Sequence, residues 1–197
     1  MIFIFLLWIS RINPLWSEDV AKDKVQHIID NSTITRIHKP LAVRTDRETL
    51  EYFIEHVEEL TKHGKDFKKK ELILEVRGNG RYGIEMPAKH VTGEFELLDR
   101  QPQKATYLGH GNAAVFFSFS GSIVLEVNYT TQNDDAGTYE EVKTFVHLKF
   151  DNAFLGLIAK AASPILNPKL DKLIAKFAKK TKQVVEAAYA EKMVLNR

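Results

Sequence analysis

The side chains that could perform chemistry are scattered along this chain. It has no cysteine, which removes disulfides, thiolate metal ligands and cysteine nucleophiles. No two histidines have the H-x-x-x-H or H-E-x-x-H spacing that directs two imidazoles to one metal ion, so the sequence predicts no metal site. The seven histidines are His27, His38, His56, His63, His90, His110 and His147.

Serines and glycines likewise lack a catalytic arrangement. Ser120 and Ser122 alternate along a strand-like run and lie outside any G-x-S-x-G nucleophile elbow. Gly78–Gly80 and Gly109–Gly111 lack the spacing and the following helix of a phosphate-binding loop, and they predict turns. No catalytic set and no cofactor is therefore predicted, and the chain is not expected to be an enzyme.

One histidine is a candidate for a functional role. If Leu108 points into a cavity, His110 does so too, because side chains alternate along a strand with a period of two. In a cavity, His110 would act as a general base or as a polar anchor, and Tyr107 is the alternative group for orienting a polar head. An ordinary polar group at a strand end is the other interpretation.

Lysines cluster near the C-terminus and in one connecting segment. Such a run is usually a solvated helix face, and the sharper alternative is attraction to an anionic membrane surface. The net charge of +2 and the lack of interleaved exposed aromatic residues predict no nucleic-acid partner. The first cluster is Lys169, Lys172, Lys176, Lys179, Lys180 and Lys182, with Asp171 as the main acid, and the second is Lys65, Lys68, Lys69 and Lys70.

The elements that would position these groups are mostly strands with alternating hydrophobicity. Phe117–Thr130 and Thr138–Phe150 alternate most clearly, which predicts a half-buried antiparallel hairpin. Gly121 falls on the apolar face of the first of these strands, where it predicts a bend or bulge. The other predicted strands are Thr33–Val43, interrupted by Pro40, and Glu71–Arg77, Arg81–Met86, His90–Leu98 and Ala105–His110.

Three helices follow from their caps and from apolar residues at helical spacing. Thr45 and Glu48 form a capping box for a helix that runs to about His63 and ends at Gly64. The other two predicted helices are a short apolar one at Asn152–Ser163 and a long amphipathic one at about Pro168–Met193, with Asn167 as its N-cap.

The N-terminal segment is apolar at Met1–Ile9 and polar at Ser17–Asn31, where we expect a short helix or a linker. The apolar run is shorter than the roughly 20 residues that span a bilayer. Three interpretations stay open: an export signal, a peripheral apolar tail, and a start codon assigned too early. We divide the chain into residues 1–31 and a domain of residues 32–192. We expect a cytoplasmic or membrane-peripheral protein, or an exported one if residues 1–17 act as a signal.

Four stretches resemble one superfamily of lipid-binding domains. They are Gly93–Gly111, Phe119–Tyr129, Glu140–Phe150 and Leu155–Gln183. The order of the predicted elements resembles that of the START-like, polyketide-cyclase-like (SRPBCC) superfamily. It is a strand, a helical segment, about six antiparallel strands and a long C-terminal helix. Proteins similar to the G component of carbon monoxide dehydrogenase are the branch that the chain resembles most. The resemblance covers about Thr33 to Ala190.

The resemblance implies an α+β helix-grip fold, in which a curved antiparallel sheet of about seven strands wraps around the C-terminal helix. It also implies a cavity between sheet and helix, so we expect binding or carriage of a lipid-like molecule. Two alternatives are an accessory protein of a membrane-associated enzyme complex and a cyclase- or hydrolase-type enzyme that uses the same cavity. The expected wall is Tyr82, Phe95, Leu97, Leu108, His110, Phe117, Phe119, Ile123, Leu125, Val146 and Leu148 from the sheet, and Leu170, Leu173, Ile174 and Phe177 from the helix.

Overall fold

The described part of the chain forms eight strands and five helices. The structure is a computed structural model that describes residues 15–63, 72–78, 80–114 and 118–195, with side chains for residues 21–63, 72–78, 80–114 and 120–195. In chain order the elements are α1 (Leu15–Asp30), β1 (Ile34–Ile37), β2 (Leu41–Val43), α2 (Arg47–Glu55), α3 (Glu59–His63), β3 (Ile73–Gly78), β4 (Arg81–Met86), β5 (Val91–Gln101), β6 (Lys104–Ala114), β7 (Ser118–Asp134), β8 (Gly137–Phe150), α4 (Ala153–Ala161) and α5 (Ser163–Leu195).

All eight strands belong to one antiparallel sheet, in the order β3-β4-β5-β6-β7-β8-β1, and β2 also pairs with β8. The sequence predicted about seven strands. The extra strand arises because Pro40, which has no backbone N–H to donate, lies between β1 and β2. The predicted α+β helix-grip class is confirmed by this curved sheet and the long C-terminal helix.

The main core fills one end of the sheet. We call the sheet face toward α2 and α5 the inner face, and the opposite one the outer face. Leu50, Phe53 and Ile54 of α2 are buried there together with Val184 and Val185 of α5. These α5 residues lie in the second half of that helix, so α2 and the second half of α5 cover the same end of the inner face.

Three tyrosine hydroxyls hold α2 against the sheet. The Tyr107 hydroxyl donates to the Ile54 carbonyl oxygen at 2.5 Å, and the Tyr82 hydroxyl donates to the Glu55 carbonyl oxygen at 2.9 Å. Both carbonyls lie in the last turn of α2, where backbone acceptors lack an intrahelical partner. The Tyr129 hydroxyl donates to Glu51 Oε1 at 3.0 Å. Burial raises the pKa of Tyr82 to about 12 and raises that of Tyr107 as well, so both hydroxyls stay protonated donors.

Helix α1 covers part of the outer face. Ile28 of α1 is buried in a second, smaller cluster with Leu108 of β6 and Val124 of β7. Lys149 Nζ lies 2.6 Å from His27 Nε2, a further contact between β8 and α1. Of the two expectations for Ser17–Asn31, the helix is therefore correct. The expectations for Met1–Ile9 lie outside the described residues, and the division of the chain at residue 31 stays a prediction.

Several predicted helix boundaries are wrong. Asp46, and not Thr45, is the N-cap of α2, because its Oδ1 accepts the Thr49 backbone N–H at 2.7 Å. The helix predicted to reach His63 is broken after Glu55 into α2 and α3. The predicted end at Gly64 and the lysine cluster at residues 65–70 lie outside the described residues.

The last helix also starts earlier than predicted. Helix α5 begins at Ser163 and continues through Pro168, so Asn167 is a helical residue and not the N-cap. A proline this close to the helix start is tolerated because it removes only the bond to the Pro164 carbonyl. Within the described ranges, no helix is both long and apolar enough to cross a bilayer.

The Asp46 carboxylate should contribute to stability in a pH-dependent way. Burial acts to raise its pKa, but the hydrogen bond from Thr49 and the Lys192 ammonium at 3.3 Å outweigh that effect, so the pKa lies below its usual value. Because the folded pKa is lower than the unfolded one, the contribution is present above about pH 4 and is lost as pH falls through the folded pKa.

We expect Asp46→Ala to lower the free energy of unfolding by about 1 kcal/mol near pH 7, measured by urea denaturation. Asp46→Asn keeps a capping oxygen but loses the charge that attracts Lys192, so it should cost less. The stability difference between wild type and Asp46→Asn should shrink between about pH 5 and pH 3. A difference that is constant over this range would contradict the assignment.

Removing a tyrosine hydroxyl should leave a helix carbonyl unsatisfied. We expect Tyr107→Phe to lower the free energy of unfolding by about 1–3 kcal/mol, because the Ile54 carbonyl loses its buried donor. Tyr52→Phe on the exposed side of α2 is the matched control and should change stability by less than about 0.5 kcal/mol. Equal effects of the two changes in thermal or urea unfolding would show that the hydroxyls do not hold α2.

Candidate functional site

Away from α2, a row of glycines crosses the inner face of the sheet. Gly93 of β5 pairs with Gly111 of β6, which in turn pairs with Gly121 of β7. A Cβ at Gly111 would lie 2.5 Å from the Thr92 carbonyl oxygen, and one at Gly121 would lie 2.7 Å from the Lys149 carbonyl oxygen. Neighbouring backbones thus come too close for any side chain, as expected where strands bend sharply. This glycine row leaves the floor of the bend without side chains.

Apolar side chains flank the glycine row on the inner face. Ile123 pairs with Leu148, and Leu125 pairs with Val146, so all four point to the same side as the glycines. Ile123, Leu125 and Leu148 are only half-buried, although they face the interior of the fold. Val146 is buried. Leu125 packs against the edge of the main core. Ile123 and Leu148 lie outside the core clusters, and their partial exposure on an interior face indicates that the opposing helix does not pack tightly against them.

That opposing element is the first half of α5. Leu170, Leu173, Ile174 and Phe177 recur at helical spacing and belong to the same stripe as Val184 and Val185. The first four are half-buried, whereas the two valines are buried. The stripe therefore leaves the tight core and continues over the glycine end of the sheet. We call the space between the glycine row and the first half of α5 the sheet–helix cleft.

Polar groups lie at the edge of the sheet–helix cleft. Arg36 of β1 pairs with Val146, which places it on the inner face, and its Nε donates to Asp171 Oδ1 of α5 at 2.7 Å. A second contact joins the same guanidinium and carboxylate. The hydrogen bond to Asp171 outweighs the partial burial of Arg36 and raises the pKa of the guanidinium. This pair ties the first half of α5 to the sheet at β1.

Asn167 adds a polar group on the cleft stripe of α5. It lies seven residues before Ile174, so the two share one face of the helix. Its Oδ1 is buried and has no hydrogen-bond partner. An unpaired buried amide oxygen costs about 1–3 kcal/mol, which a ligand donor would offset. The sequence predicted Asn167 as a helix cap and did not indicate Arg36 as a site residue, although Arg36 shares one face of its strand with Ile34.

Leu108 and His110 were predicted to line the wall, but the structure places both on the outer face. Tyr107 occupies the inner face of β6, so the period of two turns Leu108 to the outer face, where it is buried with Ile28 and Val124. His110 is exposed on the same outer side, with Nδ1 3.2 Å from Ser122 Oγ. The prediction failed because helix α1 provides apolar cover on the outer face. It also overlooked that Tyr107 and Leu108 cannot both point inward.

Three other predicted wall residues pack under α2. The Tyr82 and Phe95 rings stack with centroids 5.0 Å apart, and Leu97 and Phe95 pack against the main core. They line the closed end of the inner face. Phe117 and the side chain of Phe119 lie outside the described residues. Predicted residues that the structure brings to the cleft are Ile123, Leu125, Val146, Leu148, Leu170, Leu173, Ile174 and Phe177.

The sequence predicted a turn at Gly109–Gly111, and this prediction is wrong. The segment lies in the middle of β6 and pairs with both β5 and β7. No local sequence signal reveals this, because Gly111 comes opposite Gly93 and Gly121 only through the strand register. Glycine inside a strand often marks a bend, whereas glycine pairs in isolation suggest turns.

Neither the acidic and histidine side chains nor the hollow on α2 provides a second candidate site in the described part of the chain. Among the described residues, no group of three or more histidine, aspartate or glutamate side chains could hold a metal ion. A surface hollow of about 510 Å³ lies on α2. Its Arg100 and Glu51 are bound to each other at 2.5 Å, so these charges already satisfy one another. The hollow is lined by Arg47, Glu48, Glu51, Tyr52, Glu55 and Arg100.

Comparisons with known proteins add structural neighbours. No protein-family model and no curated protein matches the sequence. A conserved protein from Geobacillus kaustophilus superposes with a TM-score of 0.57 and 15% identity, over 79% of this chain and 97% of that one. The di-domain ARO/CYC protein BexL of the BE-7585A biosynthetic pathway superposes with a TM-score of 0.47 and 9% identity, over 89% of this chain and 60% of that one. Major latex-like protein 151 from Panax ginseng superposes with a TM-score of 0.43 and 11% identity, over 79% of this chain and 97% of that one.

The similarity to the Geobacillus kaustophilus protein concerns the fold alone, because so few residues are identical. The other two similarities are weaker and carry no conclusion. The branch of proteins similar to the G component of carbon monoxide dehydrogenase stays a prediction. A curved antiparallel sheet bent at a glycine row, with a long C-terminal helix across its inner face, is the arrangement found here. The chain has an α+β helix-grip fold.

Proposed function

We propose that the chain binds a hydrophobic small molecule in the sheet–helix cleft. The observation that supports this most is the pair of half-buried apolar surfaces that face each other. Ile123, Leu125 and Leu148 lie on one side, and Leu173 and Phe177 lie on the other. Leu125 and Phe177 also contact the main core, so they mark the inner end of the cleft. Apolar side chains that are only half-buried gain free energy when a ligand covers them.

The ligand we propose is an amphiphile with a long apolar part. Each methylene that leaves water contributes about 0.8 kcal/mol, so an acyl chain or a fused-ring body would supply most of the affinity. Asn167 and Arg36 would orient a hydroxyl, carbonyl or carboxylate group at the cleft edge. The few polar groups on the cleft favour binding or carriage over catalysis. An accessory protein and a cyclase- or hydrolase-type enzyme stay as alternatives.

Native mass spectrometry of the purified full chain tests the proposal directly. We expect an adduct above the 22.5 kDa chain mass, and organic extraction should release a molecule that identifies its chemical class. A mass that matches the free chain, together with no thermal shift across a panel of fatty acids, sterols and polyketides, would count against ligand binding in the cleft.

Filling the cleft with a larger side chain should block binding without unfolding the protein. We expect Ile123→Trp to weaken binding of a fluorescent fatty acid by about tenfold or more, because the indole occupies the ligand's space. If the cleft is open, the free energy of unfolding should change by less than about 1 kcal/mol. A loss of about 1–3 kcal/mol would mean that the site is already packed, which would contradict the proposal.

The matched control is Ile37→Trp. Ile37 lies on β1 opposite Phe145, which directs it to the outer face, and it is 59% exposed. It should therefore accept an indole without affecting fatty-acid binding. Equal losses in both variants, measured by fluorescence titration, would show that the probe does not report on the cleft.

A further inference from the structure

Helix α4 is apolar on both of its faces. Its sequence AFLGLIAKA contains one charged residue, Lys160. Ala159 is buried on the side toward the fold, whereas Phe154 and Leu157 are 68% and 67% exposed on the other side. A helix that is apolar all round normally lies in a protein core or in contact with lipid. The outward face of α4 has no cover within the described part of the chain.

The exposed apolar surface continues into the start of α5. Ile165, in the first turn of that helix, is 65% exposed. Ile158 lies one residue after Leu157 and is also exposed. We call Phe154, Leu157, Ile158 and Ile165 the α4 patch. Several large exposed apolar side chains grouped in about a dozen residues mark an interaction surface, unlike single exposed ones.

Positive charge predominates around the α4 patch, and Asp151 is the acid just before α4. From Asn152 to Gln183 the sequence has seven lysines, and Asp171 is its only acid. The Asp171 carboxylate is bound by Arg36. Lys160 and Lys172 are exposed near the patch. The remaining lysines of this stretch are Lys169, Lys176, Lys179, Lys180 and Lys182.

We propose that the α4 patch inserts into the surface of an anionic lipid bilayer. Phe154, Leu157 and Ile165 would enter the boundary between headgroups and acyl chains, and the surrounding lysines would contact the anionic headgroups. A second copy of the chain is a poorer occupant. Symmetric pairing through the same patch would bring the two lysine-rich surfaces together, which is electrostatically unfavourable.

Docking in this way would also position the sheet–helix cleft. Helix α4 directly follows β8 and directly precedes the half of α5 that covers the cleft. The bilayer would therefore lie next to the cleft. An amphiphile could then pass from the bilayer into the cleft or from the cleft into the bilayer. The docking itself does not depend on the cleft, but the direct transfer of a ligand rests on the function proposed above.

Vesicle co-sedimentation tests the docking with the full chain. We expect binding to vesicles of phosphatidylcholine and phosphatidylglycerol in a three-to-one ratio, and much weaker binding to phosphatidylcholine alone. About 0.5 M salt should reduce binding, because the lysine contribution is screened. The double variant Phe154→Ser/Leu157→Ser should lower the partition coefficient by about tenfold or more. Val76→Ser, at a 56% exposed valine on β3, is the control and should bind like wild type.

A label on the α4 patch identifies which surface makes the contact. The chain has no cysteine, so Leu157→Cys and Val76→Cys can each carry a single environment-sensitive fluorophore. We expect a blue shift with anionic vesicles at position 157 and none at position 76. Co-sedimentation without a shift at position 157 would overturn the proposal and would direct attention to the apolar segment Met1–Ile9.

Two further outcomes separate this inference from its rivals. Ile123→Trp should still bind vesicles, because it blocks the cleft and leaves the α4 patch intact. Loss of vesicle binding in Ile123→Trp would mean that lipid enters the cleft and that the patch does not dock, which overturns the inference. If wild type is dimeric by light scattering and Phe154→Ser/Leu157→Ser is monomeric, a second copy covers the patch, and the proposal is wrong.

Discussion

The inward position of Tyr107 is the constraint on which much of the sheet depends. Its hydroxyl reaches the Ile54 carbonyl at the end of α2, so the odd-numbered residues of β6 must face the inner side. Gly109 and Gly111 then lie on the inner face, and Leu108 lies under α1. A shift of one residue in this strand would exchange the two faces. It would move Leu108 away from α1 to the inner face and remove the hydroxyl donor from α2.

The same arrangement explains why only one end of the inner face is filled. Helix α2 and the second half of α5 occupy the tyrosine end, and the hydroxyls of Tyr82, Tyr107 and Tyr129 fix the position of α2. At the other end, the glycine row bends the strands and leaves no side chains on the floor. The first half of α5 passes over this bend, where the Arg36–Asp171 pair anchors it at β1. The inner face therefore has a close-packed end and a half-buried end, and a ligand at the half-buried end would cover apolar side chains without rearranging the core.

Two surfaces that meet at the start of α5 support the two proposals. The inner stripe of α5 faces the sheet–helix cleft, and the α4 patch faces away from the fold. Lysines dominate the stretch between and beyond them, and its single acid is bound by Arg36. Apolar contact would give the depth of membrane insertion, whereas the lysines would give selectivity for anionic lipid. A carrier that docks through α4 would hold its cleft next to the source of an amphiphilic ligand.

The sequence by itself determined the α+β class, the alternation of β7 and β8, and the long amphipathic C-terminal helix, because periods of two and 3.6 are local properties of the chain. It also placed Ile123, Leu125, Val146 and Leu148 on one face. It could not decide which face of β6 is interior, since alternation defines two faces equally well and only the positions of α1 and α2 tell them apart. The glycine row was equally hidden, because Gly93, Gly111 and Gly121 are separated in sequence and become neighbours only through strand register. The tertiary structure decided both points, since cover and register are non-local interactions.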